Sequence, residues 1–247
     1  RRRVDTSGDQ VTDKTTGPSV ISGADASTSS DATTVSRSGA TASDMLDALW
    51  AEVVGQPQLV EDLRTAAADP VQAYLLVGPV GSGKGAAATA FAAELLSRGL
   101  DESDAQHAIR LAGAMAHPSI HLIERQEREI GDVARDVIRA AARAPAAGHT
   151  QVFLLDDLDL VVDLAPRLLK AIEEPEAATV FVISAEEVSE GLITIASRCA
   201  RYPLSPVPED AVRDRLTTEG IEPEVAALAA RSAEGSLSRA RLLAADP

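Results

Sequence analysis

The run Leu75-Leu76-Val77-Gly78-Pro79-Val80-Gly81-Ser82-Gly83-Lys84-Gly85 joins an apolar strand, a glycine-rich turn and a lysine at the mouth of an alanine-rich helix. That combination binds phosphate. Glycines let backbone N–H groups wrap around anionic oxygens, the helix N-terminus adds a partial positive charge, and Lys84 adds a full one. The spacing matches Gly-x-x-x-x-Gly-Lys followed by Ser or Thr. The candidate nucleotide-binding residues are therefore Gly78, Pro79, Val80, Gly81, Ser82, Gly83, Lys84 and Gly85. One position departs from the pattern. Gly85 stands where a hydroxyl would hold Mg²⁺, so ATP or ADP binding is expected with a weakened Mg²⁺ site.

A second chemical cluster closes the run Gln151-Val152-Phe153-Leu154-Leu155. Asp156 and Asp157 follow it, where a Walker B pair belongs. Asp156 would reach Mg²⁺ if the ion is bound, and Asp157 would orient the attacking water. Glu usually fills the second position, and Asp157 is shorter by one methylene. A displacement of about 1 Å there costs on the order of 10²-fold in rate, so Asp157 is a weak catalytic candidate. Asp156, Asp157 and Asp159 also fit a solvated charge cluster between strand and loop, the lesser alternative. Further on, Arg198 in Ser197-Arg198-Cys199 could stabilise a γ-phosphate held by a neighbouring subunit, although the tripeptide alone also fits a surface arginine. Cys199 has no histidine and carboxylate arranged to make it a nucleophile, and is expected to be a small buried apolar residue.

These groups need a scaffold. Apolar periodicity predicts helices starting at an N-cap Ser43 and after Gly55-Gln56-Pro57, then the strand ending at Val77 and a helix through Ala92, Leu95 and Leu96. A helix from Ser103 to Met115 should stop at His117-Pro118. Strands are expected at 120–123, 151–157, 179–184 and 200–202, with helices near 130–144 and 164–174 between them. Continuous apolar strands alternating with helices give an α/β fold, a parallel sheet flanked by helices. After Pro203 the pattern changes to short helices at 208–218, 222–233 and 236–245, read as a helical lid. The expected organisation is a disordered tail over 1–43, a P-loop α/β domain over 44–204 and a lid over 205–247. The tail, rich in Ser, Thr, Asp and Gly, buries too little apolar surface to offset its ordering entropy.

Composition narrows the function. The net charge of −15 argues against an autonomous nucleic-acid binder, and aromatics at 2% imply a core of Leu, Val, Ile and Ala. One cysteine excludes an internal disulfide and suits a reducing cytosol, so a cytoplasmic location is expected. No apolar run reaches the roughly 18–20 residues that span a bilayer, so no membrane contact is expected. The absent initiator Met suggests a fragment or a processed start.

The chain resembles the delta-prime family of bacterial DNA polymerase III clamp-loader subunits, AAA+ proteins with a P-loop NTPase fold. The resemblance is carried by Val54-Gly55-Gln56, Ala73-Tyr74-Leu75-Leu76 into Gly78-Pro79, and His117-Pro118 before a strand. More specific are Leu168-Leu169-Lys170-Ala171-Ile172-Glu173-Glu174-Pro175 and Thr194-Ile195-Ala196-Ser197-Arg198-Cys199. It implies a stator that assembles with gamma/tau and delta subunits, supplies Arg198 in trans and hydrolyses little ATP itself. The sliding clamp and primer-template DNA would be met through the complex. The alternative is an active gamma/tau-like ATPase motor, against which Gly85, Asp157 and Ser238 all argue. Ser238 fills the expected position of the lid's sensor-2 arginine, and Arg239 lies one residue late, about 100° around a helix. Many relatives carry a four-cysteine zinc module after the P-loop helix. Residues 97–117 hold only His107 and His117, expected on a helix surface and at its end, so no zinc is expected. The family's helical collar would begin where the chain stops, and is expected to be absent.

Overall fold

The computed structural model describes residues 39–123, 130–156, 165–174 and 178–245. Most of the expected tail, as well as Asp157, Asp159 and Pro175, lies outside these described residues. Helix α1 (Ala42–Trp50) starts two residues before the expected position, because Thr41 and not Ser43 caps it. The Thr41 side chain accepts from the Asp44 amide while the Asp44 carboxylate accepts from the Thr41 amide. This reciprocal box satisfies donors that Ser43, inside the helix, could not reach. Helix α2 (Pro57–Ala66) begins on proline, whose fixed φ suits a first helical position.

Strand β1 (Ala73–Val77) runs into the glycine turn and helix α3 (Lys84–Ser97). Helix α4 (Glu102–Gly113) starts one residue before the expected Ser103 because Asp101 caps it, and Met115 beyond its end takes a left-handed φ of 53°. Then come β2 (Ile120–Ile123), α5 (Ile130–Ala141), β3 (Gln151–Leu155), α6 (Ala165–Glu173) and β4 (Thr179–Ala185). Helix α5 ends three residues short of the expected boundary. The short α7 (Ile193–Ala196) leads to β5 (Ala200–Pro203), followed by α8 (Glu209–Thr218), α9 (Pro223–Ser232) and α10 (Leu237–Ala245).

The sheet is parallel throughout, in the order β2-β3-β4-β1-β5. Successive strand residues point to opposite faces, and both faces are covered. Tyr74, Leu76, Val152, Leu154, Val180 and Val182 pack toward α3, while Leu75, Phe153, Leu155, Phe181 and Ile183 pack toward Leu168 and Ile172 of α6 and Ile195 of α7. Alanine lets α3 lie close on the sheet, with Ala87, Ala90, Ala92 and Ala93 all fully buried.

The aliphatic core expected from composition needs one correction. All three phenylalanines and Tyr74 are fully buried at its centre, with Phe153 and Phe181 stacked 5.1 Å apart and Tyr74 edge-on to Phe91 at 4.6 Å. The C-terminal helices have a core of their own around Val212, Leu216, Ala226, Ala230, Leu237 and Ala240.

Candidate functional site

Parallel strands carry their loops out at the C-terminal edge, and the phosphate-loop residues and Asp156 meet there. A cavity of about 310 Å³ is lined by Val80, Gly81, Gly83, Lys84, Gly85, Asp156, Ser238 and Arg241, among others. Gly81 and Gly83 adopt left-handed φ values of 80° and 99°, which the glycines permit at no steric cost. Gly78 is needed for another reason, since a Cβ there would sit 2.5 Å from the Leu204 carbonyl oxygen.

The loop is held from within. Lys84 is buried, and its Nζ donates to the carbonyls of Gly78 at 2.6 Å and Pro79 at 3.2 Å. The Ser82 amide donates to Pro79 O at 3.2 Å, and Gln56 Nε2 links Ser82 O at 3.4 Å to Ser205 O at 2.6 Å. The Ser82 hydroxyl is buried with no hydrogen-bond partner. Helix α3 has no side-chain cap at Gly83, so its first amides stay open to an anion.

Asp156 is exposed just past β3, and its carboxylate accepts from Ser184 Oγ at the end of β4. The exposed Gly85 brings no hydroxyl beside it.

The C-terminal helices reach the site, though not through Arg239. That side chain pairs with Glu234 at 2.8 Å, whereas Ser238 and Arg241, one turn apart on α10, line the cavity. The guanidinium of Arg241 donates to Glu219 at 2.5 and 3.1 Å; Arg215 donates to Glu219 at 2.6 Å and reaches Glu52 at 2.5 Å. Hydrogen bonds from Arg241, and then from Arg215, hold the Glu219 carboxyl at about 2, below the usual 4.5. Sequence reading missed Arg241. Its i, i+3 spacing from Ser238 puts both on one helix face, but only the docking of α10 on Gly81 decides that this face meets the loop.

Arg198 lies elsewhere. It is exposed, just before β5, and β5 pairs in parallel with β1 so that Tyr74 faces Ala200 and Val77 faces Pro203. Its Nε donates to Glu173, and its Nη1 to Thr194 O at 2.8 Å and Ser197 Oγ at 3.2 Å. Cys199 is part-buried against the α6–α7 core, and burial pushes its thiol up to about 11. Of the two histidines, His107 is exposed, but His117 is buried, accepting from the Ser119 amide at 3.1 Å through Nδ1. Burial and then His107 lower its pKa. Among the described residues no group of three or more His, Cys, Asp or Glu could hold a metal. No helix among them is long and apolar enough to cross a membrane.

Comparison with known proteins gives a consistent picture. The chain is 33% identical to DNA polymerase III subunit delta' of Pseudomonas aeruginosa over 161 residues, covering 62% of this chain and 46% of that protein. Against the Bacillus subtilis delta' subunit the identity is 28% over 162 residues, 64% of this chain and 49% of that one. A replication factor C small subunit from Halobacterium salinarum is 32% identical over 178 residues, 69% and 50% respectively. The chain thus spans about half the length of these relatives. In fold it is similar to a RuvB variant from Thermotoga maritima, with a TM-score of 0.53 at 19% identity over 77% of this chain and 61% of the other. Domain III of the replication initiation protein DnaA from the same organism gives 0.52 at 13% identity, over 78% and 83%. The fold is that of AAA+ proteins. The family described as "DNA polymerase III, delta subunit" matches residues 55–208, well over half of the chain, and the chain belongs to that family.

Proposed function

We propose that this chain is a clamp-loader subunit of DNA polymerase III, working in cytoplasmic DNA replication. It is a stator that assembles with gamma/tau and delta subunits and presents Arg198 to ATP held by a neighbouring motor subunit. The sliding clamp and primer-template DNA are met through that complex, and the chain's own ATPase is weak or absent.

The position of Arg198 carries this reading. It precedes β5 at the N-terminal edge of the sheet, while the phosphate loop leaves β1 at the C-terminal edge. A five-residue strand separates the edges by on the order of 15 Å, so Arg198 does not serve its own loop. An exposed arginine at that edge suits a phosphate on another subunit.

The loop fits phosphate better than it fits a catalytic metal. Space is open above Gly83 and Gly85, and the α3 amides are uncapped. Mg²⁺ has no hydroxyl ligand at Gly85. ATP or ADP would lie on Gly81, Gly83, Lys84 and Gly85, with Arg241 reaching the phosphates from the lid; a bound Mg²⁺ would supply charge neutralisation there.

The test compares nucleotide binding and hydrolysis by this chain alone and mixed with a gamma/tau subunit. Weak turnover alone, together with a loss of the mixture's ATPase on Arg198→Ala, is expected. Vigorous Mg²⁺-dependent turnover by the isolated chain would sink the stator reading in favour of a motor.

A further inference from the structure

The two most specific sequence stretches, the one ending α6 and the one following α7, close on each other in space. Leu168 and Ile172 of α6 and Ile195 and Ala196 at α7 share one buried cluster. That packing brings the last residue of α6, Glu173, into contact with Arg198, 25 residues later in the sequence. The backbone at Arg198 is fixed as well, with the Ser197 amide donating to Ile193 O at 3.0 Å and the Arg198 amide to Ile195 O at 2.9 Å.

The guanidinium is held on one side only. Of its five N–H groups, Nε binds Glu173 and both Nη1 hydrogens are taken by Thr194 O and Ser197 Oγ. Ser197 Oγ itself donates to Thr194 O at 2.8 Å, which fixes it as an acceptor. The Nη2 edge has no partner among the described residues. Three internal acceptors, on two different elements, thus leave the two Nη2 hydrogens of the exposed cation without a partner among the described residues. An exposed ion pair adds little stability, so the arrangement is better explained by orientation than by strength.

We propose that Glu173 is a positioning residue for Arg198: it clamps Nε so that the Nη2 edge is offered, already oriented, to a phosphate on the adjoining subunit. This rests on the trans role of Arg198 proposed above. Pre-orientation matters because a cation that stabilises developing charge gives most when no reorganisation accompanies the reaction. Glu173 touches no substrate and acts only through Arg198.

The experiment measures steady-state ATPase of the complex reconstituted with a gamma/tau subunit, using Glu173→Ala, Glu173→Gln, Arg198→Ala and the Glu173→Ala/Arg198→Ala double variant. Glu173→Ala is expected to lower kcat roughly tenfold with KM for ATP unchanged. Glu173→Gln, which keeps an acceptor oxygen for Nε, restores most of the rate. The double variant is no slower than Arg198→Ala alone, and the isolated chain melts within about 2 °C of wild type. If Arg198→Ala slows the complex but Glu173→Ala leaves kcat at or above wild type, Glu173 is not a positioning residue while the trans arginine stands. Additive losses in the double variant would also overturn the proposal, since Glu173 would then act independently of Arg198. An unchanged rate with Arg198→Ala removes the trans arginine and this inference with it.

Discussion

The backbone amide of Leu237 donates to the carbonyl of Gly81 at 3.1 Å, so the first residue of α10 is hydrogen-bonded directly to the phosphate loop. The neighbouring Ser236 side chain fills the space beside Gly81, where a Cβ would stand 2.0 Å from Ser236 Oγ. Lid and loop are therefore one steric unit. Gly81→Ala should cost about 2 kcal/mol or more, from this clash and from the left-handed φ together. Hydrogen exchange at the Leu237 amide should accelerate. Adding Ser236→Gly should remove the side-chain part of the clash, leaving the Ser236 Cα at 3.0 Å and a backbone strain of about 1 kcal/mol. Unchanged denaturation midpoints in urea would show that the contact does not hold in solution.

Gly85 marks a different case, since a Cβ placed there meets nothing within 4 Å. Gly85→Ser should fold normally and return a hydroxyl to the face of α3 beside Asp156. Calorimetry of ADP with Mg²⁺ and with EDTA should show a gain confined to the Mg²⁺ arm. The expected size is on the order of tenfold in Kd, the effect of ~1.4 kcal/mol from one added ligand. A gain of equal size in EDTA would point to a change in the loop and not to metal binding.

Glu219 joins the lid helices and, through Arg215, links them to Glu52 in the α1–α2 turn. Its folded pKa of about 2 lies below the ordinary 4.5, with the Arg241 hydrogen bond as the largest cause. The stabilisation is therefore complete above about 4.5 and is lost as pH falls toward 2. Glu219→Gln should cost about 1 kcal/mol near neutral pH and flatten that acid limb in urea melts. An acid limb identical to wild type would exclude Glu219 as its source.

Cys199 provides a chemical check on the α7–β5 segment. Burial raises its thiol to about 11, only partly offset by Arg201, so little thiolate exists near pH 8. Alkylation by iodoacetamide at that pH should be roughly a hundredfold slower than for a small free thiol. Rapid labelling would mean that the segment carrying Arg198 opens readily.

The strands and the phosphate loop were legible because each leaves a local signature: continuous apolar runs where both sheet faces are covered, and glycines where the turn needs left-handed or crowded backbone. The relations that complete the site were not. Arg241 enters the cavity because α10 docks on Gly81, and no local spacing states which face of that helix meets the loop. Glu173 meets Arg198 only through the packing of α6 on α7. Thr41 and Ser43 are both residue types that cap a helix, and the reciprocal Asp44 bond selects Thr41.

The opposed placement of Arg198 and the phosphate loop also gives the molecule a polarity. With the trans role proposed for Arg198, a body with a cation at one edge of its sheet and an anion cradle at the other would meet its neighbours head to tail, through two unlike surfaces. In a row of such bodies each contact has a giver and a receiver, and every member except the first and the last plays both parts. A member that keeps the giving edge while its own cradle lacks the Gly85 hydroxyl is suited to one end of the row, where nothing need be received. On that proposal, the missing hydroxyl at Gly85 would act as an address.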